Sequence, residues 1–394
     1  FRNRNETYFG GRENMAGKVA VLNDLAGFGR CSLTAAISVL SAMGVQPCPL
    51  PTAVLSAQTG FESYFFQDLT EQMGMITEEW KKSGAQFDGI VTGFMSDHRQ
   101  IGEVNHFLDL FHKEGTFLLV DPVLGDNGKR FSVFDGLFQK EMKQLVKRAD
   151  IVTPNVTELC LLTDYDYDKI QNISETGDRE ALFSEVSKAA GRLLDSGVSE
   201  VIVTGVLFEE QDAAKECTVG KETGTGGRKV ANLTVTREKT TAGISSFIGA
   251  SYSGTGDLFA SVIAGGKARG DRTEDSVRLA GEMIEKAVRE SAALGISGKE
   301  GAEYEKYLWM LCKKTKESGE KNILSATFKE RVNDFSGISK EQKTTYNKQN
   351  KKLLKQSVYP AFRSFKKTIL SLKGTGKNSG GVCNLKNGKK YYRL

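Results

Sequence analysis

The chain has 394 residues, 26% of them charged and 39% hydrophobic, with a formal charge of +5; this is length enough for one large or two medium domains with a buried core. Forty-two glycines against six prolines, with no G-X-Y period, exclude a collagen-like or proline-rich linker chain, and no apolar run reaches the roughly 18 residues of a membrane span. The net charge conceals a division, because residues 313–394 carry 21 basic and 5 acidic side chains, net +16, against net −11 over residues 1–312.

Residues 1–14 are polar and glycine-bearing, which excludes a secretory signal there. They are expected to be a non-native or disordered leader, with Met15 the natural start. From residue 15 to residue 312, strand-like apolar runs alternate with amphipathic helices. KVAVL (18–22) reads as a buried strand and SLTAAISVLSAM (32–43) as a helix capped by Ser32. GIVTGF (89–94) is strand-like, residues 97–112 are helical, and TFLLVD (116–121) is strand again. Short strands at 151–153 and 201–204 each follow a helix, the second one running over 182–194. Such alternation predicts right-handed βαβ units and a parallel sheet covered on both faces. Ligands bind such sheets beyond the carboxyl ends of the strands, where this sequence places Asn23, Asp24, Asp121, Asn155 and Gly205. Residues 208–240 end in the alternation VANLTVTRE and predict a strand pair at a sheet edge, with its turn at GTGG (224–227).

The six cysteines (Cys31, Cys48, Cys160, Cys217, Cys312, Cys383) are widely spaced and contain no C-x-x-C pair, so free thiols of a cytoplasmic protein are expected. The three histidines, His98, His106 and His112, do not have zinc-helix spacing.

The sharpest local motif is SGTGDLFAS (253–261). Two glycines let backbone N–H groups converge at the start of a helix, whose unsatisfied donors and positive dipole end suit a phosphoryl group. Asp257 in the first turn is then either an ordinary N-terminal charge or a carboxylate placed to take a proton from an attacking hydroxyl. No Walker A motif occurs. VDPVLGD (120–126) and TPNVTE (153–158) end two successive strands with carboxylates, which need counter-charge; magnesium carrying nucleotide phosphates would supply it. Asn155 could equally serve only as a helix cap.

Seven ordered segments, LNDLAGFGRCSLT, PTAVLSAQTGF, VTGFMSD, VDPVLGDNGK, ADIVTPNVTEL, VIVTG and SGTGDLFAS, resemble pyridoxal kinases of the ribokinase-like superfamily over residues 16–312, up to a closing helix GAEYEKYLWML. The resemblance implies a three-layer α/β sandwich with a mainly parallel central sheet. It also implies ATP-dependent phosphorylation of the 5′-hydroxymethyl group of pyridoxal, pyridoxine or pyridoxamine, in pyridoxal 5′-phosphate salvage. By that likeness Asp257 is the catalytic base, and the amides of Gly254, Thr255 and Gly256 form an anion hole. Asp121 and Glu158 serve magnesium, while Asp126, Thr153, Asn155, Thr204 and Gly205 line the nucleotide site. Asn23, Thr59 and Phe94 fall where the family meets the pyridine ring; the animal enzymes have serine and tyrosine in place of Asn23 and Phe94. The likeness implies a homodimer and leaves a potassium requirement open. Phosphomethylpyrimidine kinases resemble the same fold but have cysteine where Asp257 stands, so the aspartate argues against that reading. A silent vitamin-binding protein is a further alternative, which Asp257 disfavours.

Residues 313–394 fall outside that likeness. They resemble an interior fragment of a bacterial zinc-hydrolase-like, carboxypeptidase-type family, yet contain no histidine, so hydrolysis through a metal-bound water is excluded there. A mostly helical, partly disordered appendage is expected, broken at FSG (335–337) and YP (359–360). Its lysines read as a solvated helix face rather than a nucleic-acid patch. GTGK (374–377) lacks the Walker spacing. Neither a nucleic acid nor a membrane is an expected partner.

Overall fold

In a computed structural model, residues 17–209, 227–249 and 251–312 are described, with 337–358 and a few flanking positions in the tail. The chain divides into two units, Phe1–Cys312 and Lys313–Leu394. The leader (1–14) and most of the GTGG turn lie outside the described residues, as does GTGK.

The first unit is built on a nine-stranded sheet. Its centre is parallel and runs β9 (Glu200–Glu209), β8 (Ile151–Val152), β5 (Phe117–Val120), β4 (Gly89–Thr92), β1 (Lys18–Ala26), β2 (Gln46–Leu55). Antiparallel strands close both sides: β3 (Phe66–Asp68) on β2, and β10 (Arg228–Val235) with β11 (Thr240–Ser246) beyond β9. The expected mainly parallel α/β sheet is therefore what the chain forms. A two-stranded ribbon of β6 (Gly125–Asp126) and β7 (Lys129–Arg130) stands apart from it.

Strand periodicity of two sorts the apolar residues into two cores. Ala20, Leu22, Ile90, Leu118, Val120, Val152, Val201 and Val203 face one layer of helices: α2 (Thr70–Lys82), α3 (His98–Phe111), α4 (Gly136–Val146), α5 (Val156–Thr163), α6 (Tyr167–Thr176) and α7 (Arg179–Asp195). Val19, Val21, Val91, Phe117, Leu119, Ile151 and Ile202 face the other layer: α1 (Ser32–Ala42), α8 (Thr255–Ala268) and α9 (Thr273–Ala293). Strands buried on both faces give the near-continuous apolar runs seen in the sequence. Phe107 sits in the first core at 1% exposure, with Phe111, Phe87 and Trp80 rings at 4.6, 5.9 and 6.0 Å. Phe107→Ala is expected to cost about 3–5 kcal/mol of unfolding free energy, measured by chemical denaturation.

Three details depart from the sequence reading. The cap of α1 is Cys31, with no side-chain capping bond, and Ser32 is instead the first helical residue, at φ +53°. The closing segment is not an α-helix but a 3₁₀ turn over Glu305–Met310. Its hydrogen bonds span three residues (Tyr307 N–H to Tyr304 O, Leu311 N–H to Leu308 O), and Arg30 ties it down through Glu303 and Glu305. Finally, β2 carries three prolines and was not read as a strand. Gln46 donates its N–H toward β1, to Gly17 O at 2.8 Å, so Pro47, Pro49 and Pro51 share the opposite parity and point away from β1. On that side β3 pairs only with residues 53–55, and no N–H is required of the prolines.

In the second unit the described residues centre on α10 (Lys340–Leu353), whose start is a capping box between Ser339 and Gln342. A π-helical turn over Leu354–Val358 follows it.

Candidate active site

Because β1, β4, β5, β8 and β9 are parallel, their carboxyl ends open on one rim of the sheet. A cavity of about 790 Å³ lies there, within the ordinary size of a small-molecule site. Asp121, Asp126, Thr153, Asn155, Glu158, Thr204 and Gly205 line it, together with Gly254, Thr255, Gly256 and Asp257 at the start of α8. Asn23 joins this group from β1 by donating its amide N–H to Asp257 Oδ1 at 2.9 Å. Phe94 lies next to it, its backbone N–H on Asn23 Oδ1 at 2.8 Å. Thr59 is exposed, and like Asn23 and Phe94 it is not among the residues lining the cavity.

Gly254 caps α8 in a left-handed conformation, φ +82°. A Cβ there would fall 2.1 Å from the carbonyl oxygen of Arg30, so only glycine lets the N-terminus of α8 meet the turn before α1. The free amides of the first turn of α8 then face the cavity beside Asp257.

On the other wall, Asn155 and Glu158 close a capping box at the start of α5. Glu158 accepts N–H bonds from Asn155 at 2.8 Å and Leu124 at 3.2 Å, and the Asn155 amide donates to Gly125 O at 2.9 Å. Thr153 donates its hydroxyl to Asp121 Oδ1 at 3.0 Å. Capping and site-building are thus the same contacts here.

The carboxyls lie close enough to perturb one another. Burial raises Asp257, while the Ser32 N–H and the Asn23 amide oppose the rise by stabilising its charge. That charge in turn adds to burial in raising Asp121, and burial with the charge on Asp121 raises Glu158. Asp24 is pushed up to about 7, chiefly by burial, with Asp257 adding to it. Among the described residues that line the cavity, only Lys299 is basic. A raised carboxyl contributes stability that is complete below its unfolded value, near 4, and lost as pH climbs through its folded value. Glu185, held down to about 2 by Lys169, Tyr165 and Lys188, works the other way, but only below pH ~4.5. The ligand-free protein is therefore expected to melt higher at pH 5 than at pH 8, by on the order of 5 °C in a calorimetric scan.

Several residues of this site were not chosen from the sequence. The apolar part of the lining includes Leu207, Val230, Phe247, Ile284 and Val288. Asn232, 8% exposed within β10, accepts the Gly205 N–H at 3.1 Å. It was visible only as a polar break in the alternation VANLTV. Lys299 comes from a 3₁₀ turn, Gly298–Glu300, after α9, with no local pattern to single it out.

The phosphomethylpyrimidine kinase family model matches residues 29–302. Among curated proteins, a pyridoxal kinase of Actinobacillus pleuropneumoniae is 28% identical over 153 residues, 37% of this chain and 51% of that protein. The chain thus spans about half the length of the first curated relatives it matches. A pyridoxine/pyridoxal/pyridoxamine kinase of Bordetella avium is 23% identical over 293 residues, 72% of this chain and 90% of that one. A solved structure from Bacteroides thetaiotaomicron, provisionally named a phosphomethylpyrimidine kinase and crystallised with pyridoxal, is 36% identical with a TM-score of 0.65. It covers 75% of this chain and 96% of its own.

Proposed function

Because the chain belongs to the phosphomethylpyrimidine kinase family, we propose that it phosphorylates the 5′-hydroxymethyl group of pyridoxal and its relatives at the expense of ATP, in pyridoxal 5′-phosphate salvage. The observation that carries this reading is Asp257, a carboxylate set in the first turn of α8 beside the amides of Gly254, Thr255 and Gly256 and fixed by the Asn23 amide at 2.9 Å. Pyridoxal bound by the Bacteroides neighbour supports the choice of acceptor.

In this reading Asp257 takes the proton of the acceptor hydroxyl as that oxygen bonds to the γ-phosphorus, and the bridging oxygen leaves with ADP. The N–H groups at the start of α8 receive the charge that collects on the transferring group. Asn23 orients the base, and Phe94, whose main-chain N–H bonds Asn23 Oδ1, would meet the pyridine ring. The apolar lining residues Leu207, Val230, Phe247, Ile284 and Val288 suit a purine, and Lys299 suits a phosphate chain. Among the described residues no three His, Cys, Asp or Glu side chains gather into a metal site. Magnesium fits nonetheless, since it binds through one or two carboxylates plus phosphate oxygens and water, and Asp121 and Glu158 provide such a pair. When bound, it would neutralise charge on the nucleotide. No helix among the described residues is long and apolar enough to cross a membrane.

Hydroxymethylpyrimidine is the second acceptor to weigh, favoured by membership of the phosphomethylpyrimidine kinase family. The test is a coupled ADP-release assay with pyridoxal, pyridoxine, pyridoxamine and hydroxymethylpyrimidine, run with and without magnesium and potassium on the full chain and on residues 15–312. A kcat/KM for a B6 vitamer at least tenfold above that for the pyrimidine is expected. Preference for the pyrimidine would overturn the assignment, and turnover of none would leave a binding protein. The expected homodimer is checked by light scattering on the same sample.

A further inference from the structure

We propose that Gly93 and Thr52 are positioning residues for Asn23: Gly93 leaves the space in which the Asn23 amide lies, and Thr52 holds the Phe94 main chain that turns this amide toward Asp257. This rests on the reading of Asp257 as the base.

The first observation is steric. Asn23 and Gly93 follow the paired residues Leu22 and Thr92 of β1 and β4, and Gly93 donates its N–H to Leu22 O at 2.8 Å. A Cβ on Gly93 would fall 2.4 Å from Asn23 Nδ2, 2.5 Å from its Cγ and 2.7 Å from its Oδ1. All three atoms belong to one amide, which therefore rests where any other residue would place its first side-chain carbon. Gly93 is not among the glycines with positive φ. Its own backbone does not call for glycine; its neighbour does.

The second observation is how the amide is held. Asn23 Oδ1 accepts two main-chain N–H groups, from Asp24 at 2.9 Å and Phe94 at 2.8 Å, and Nδ2 donates to Asp257 Oδ1 at 2.9 Å. Two donors converging on one end of an amide decide that this end is the oxygen. The nitrogen is thereby turned to the carboxylate. Asn23 is 5% exposed, so water is a poor substitute for any of these partners. An amide displaced by a methyl at position 93 loses the geometry of all three bonds.

The third observation lies behind the loop that follows β4. Thr52 on β2 donates its hydroxyl to Phe94 O at 2.9 Å. Both main-chain polar groups of Phe94 are thus engaged, the N–H by Asn23 and the carbonyl by Thr52. Gln100 on α3 donates to Thr52 O and accepts the Ser96 N–H, each at 2.8 Å. Thr52 and Gln100 are both 0% exposed. A polar pair so deep holds its neighbours to one arrangement, because the alternative is a buried group without a partner. The loop therefore meets Asn23 as part of a frame set by β2 and α3.

The test measures kcat, KM for both substrates and thermal melting in the full chain. The variants are Gly93→Ala, Asn23→Ala, the two together, Thr52→Val, Thr52→Ser and Asp257→Asn. Gly93→Ala and Asn23→Ala are each expected to lower kcat by ~10–100-fold while KM for ATP moves less than about threefold, because the base is misdirected and nucleotide binding is not. Asn23→Ala removes the atoms that the methyl at 93 would strike, so the double variant is expected to match Asn23→Ala within about twofold. A glycine needed only for folding would add its own loss in both backgrounds. Thr52→Val is expected to lower kcat ~10-fold, and Thr52→Ser, which keeps the hydroxyl, to be at least about fivefold faster than Thr52→Val. Beside an inactive Asp257→Asn, wild-type kcat in Gly93→Ala or Asn23→Ala overturns the positioning role alone. So does a double variant in which the two losses multiply. Wild-type kcat in Asp257→Asn overturns the base reading, and the positioning role with it. Should Gly93→Ala melt below the assay temperature, the Thr52 pair decides, and equal kcat in its two members overturns the proposal.

Discussion

Asp257→Asn is expected to lower kcat by 10²–10⁴-fold and to leave the dissociation constants for nucleotide and acceptor within about threefold. The asparagine keeps the shape of the carboxyl and an oxygen for the Asn23 amide, but it cannot accept the acceptor's proton. Its thermal stability should stay level or rise, since the charge that raises Asp24 and Asp121 has gone. Lost turnover with undiminished stability is the mark of a residue kept for chemistry at the expense of the fold. Single-turnover kinetics and a calorimetric scan on one preparation check both halves. A kcat within threefold of wild type would remove Asp257 from the reaction.

Gly254→Ala should be damaging in a different way. The new methyl would meet the Arg30 carbonyl oxygen at 2.1 Å and the Cys31 Cα at 2.8 Å, both backbone atoms that cannot swing aside. Its φ of +82° also disfavours any L-residue. The start of α8 must therefore back away, taking the N–H donors with it. The expected cost is about 3 kcal/mol of stability and 10²–10³-fold in kcat, the size of effect seen when one oxyanion donor is lost. Gly256→Ala is the control for stability. Its Cβ would have only Asp121 Oδ2 nearby, at 4.0 Å, so urea unfolding should find it no less stable than wild type. Equal stability of the two variants would show that the close approach is unimportant.

Most of the sheet was legible because buried parallel strands announce themselves as short apolar runs between amphipathic helices; KVAVL, GIVTGF and TFLLVD all became strands. The site was legible where its residues follow those strands directly, as Asp121 and Asn155 do, or open a helix behind glycines, as Asp257 does. What escaped depends on contacts distant in sequence. Asn23 and Asp257 are 234 residues apart, and nothing local to either reveals the bond between them. Ser32 was misread because a serine before an apolar periodic run normally caps it. Here Cys31 takes the cap position, and the serine is the first helical residue, at φ +53°. The closing segment has helical spacing, yet its tethers to Arg30 favour the tighter 3₁₀ turn. Strand β2 hid behind three prolines that a central strand would not tolerate.

Those prolines also govern what this molecule can do in company. Along residues 47–51 the outer side of β2 presents carbonyl oxygens with no matching donors at Pro47, Pro49 or Pro51. An extended segment from another molecule, arriving at this border, would find half its hydrogen bonds impossible to make, and β3 already occupies the remainder. Sheet growth from one protomer to the next is thereby blocked at this margin without any charge being placed there. Replacing the prolines with valines would improve the local strand pattern and, by the same step, open the border to aggregation.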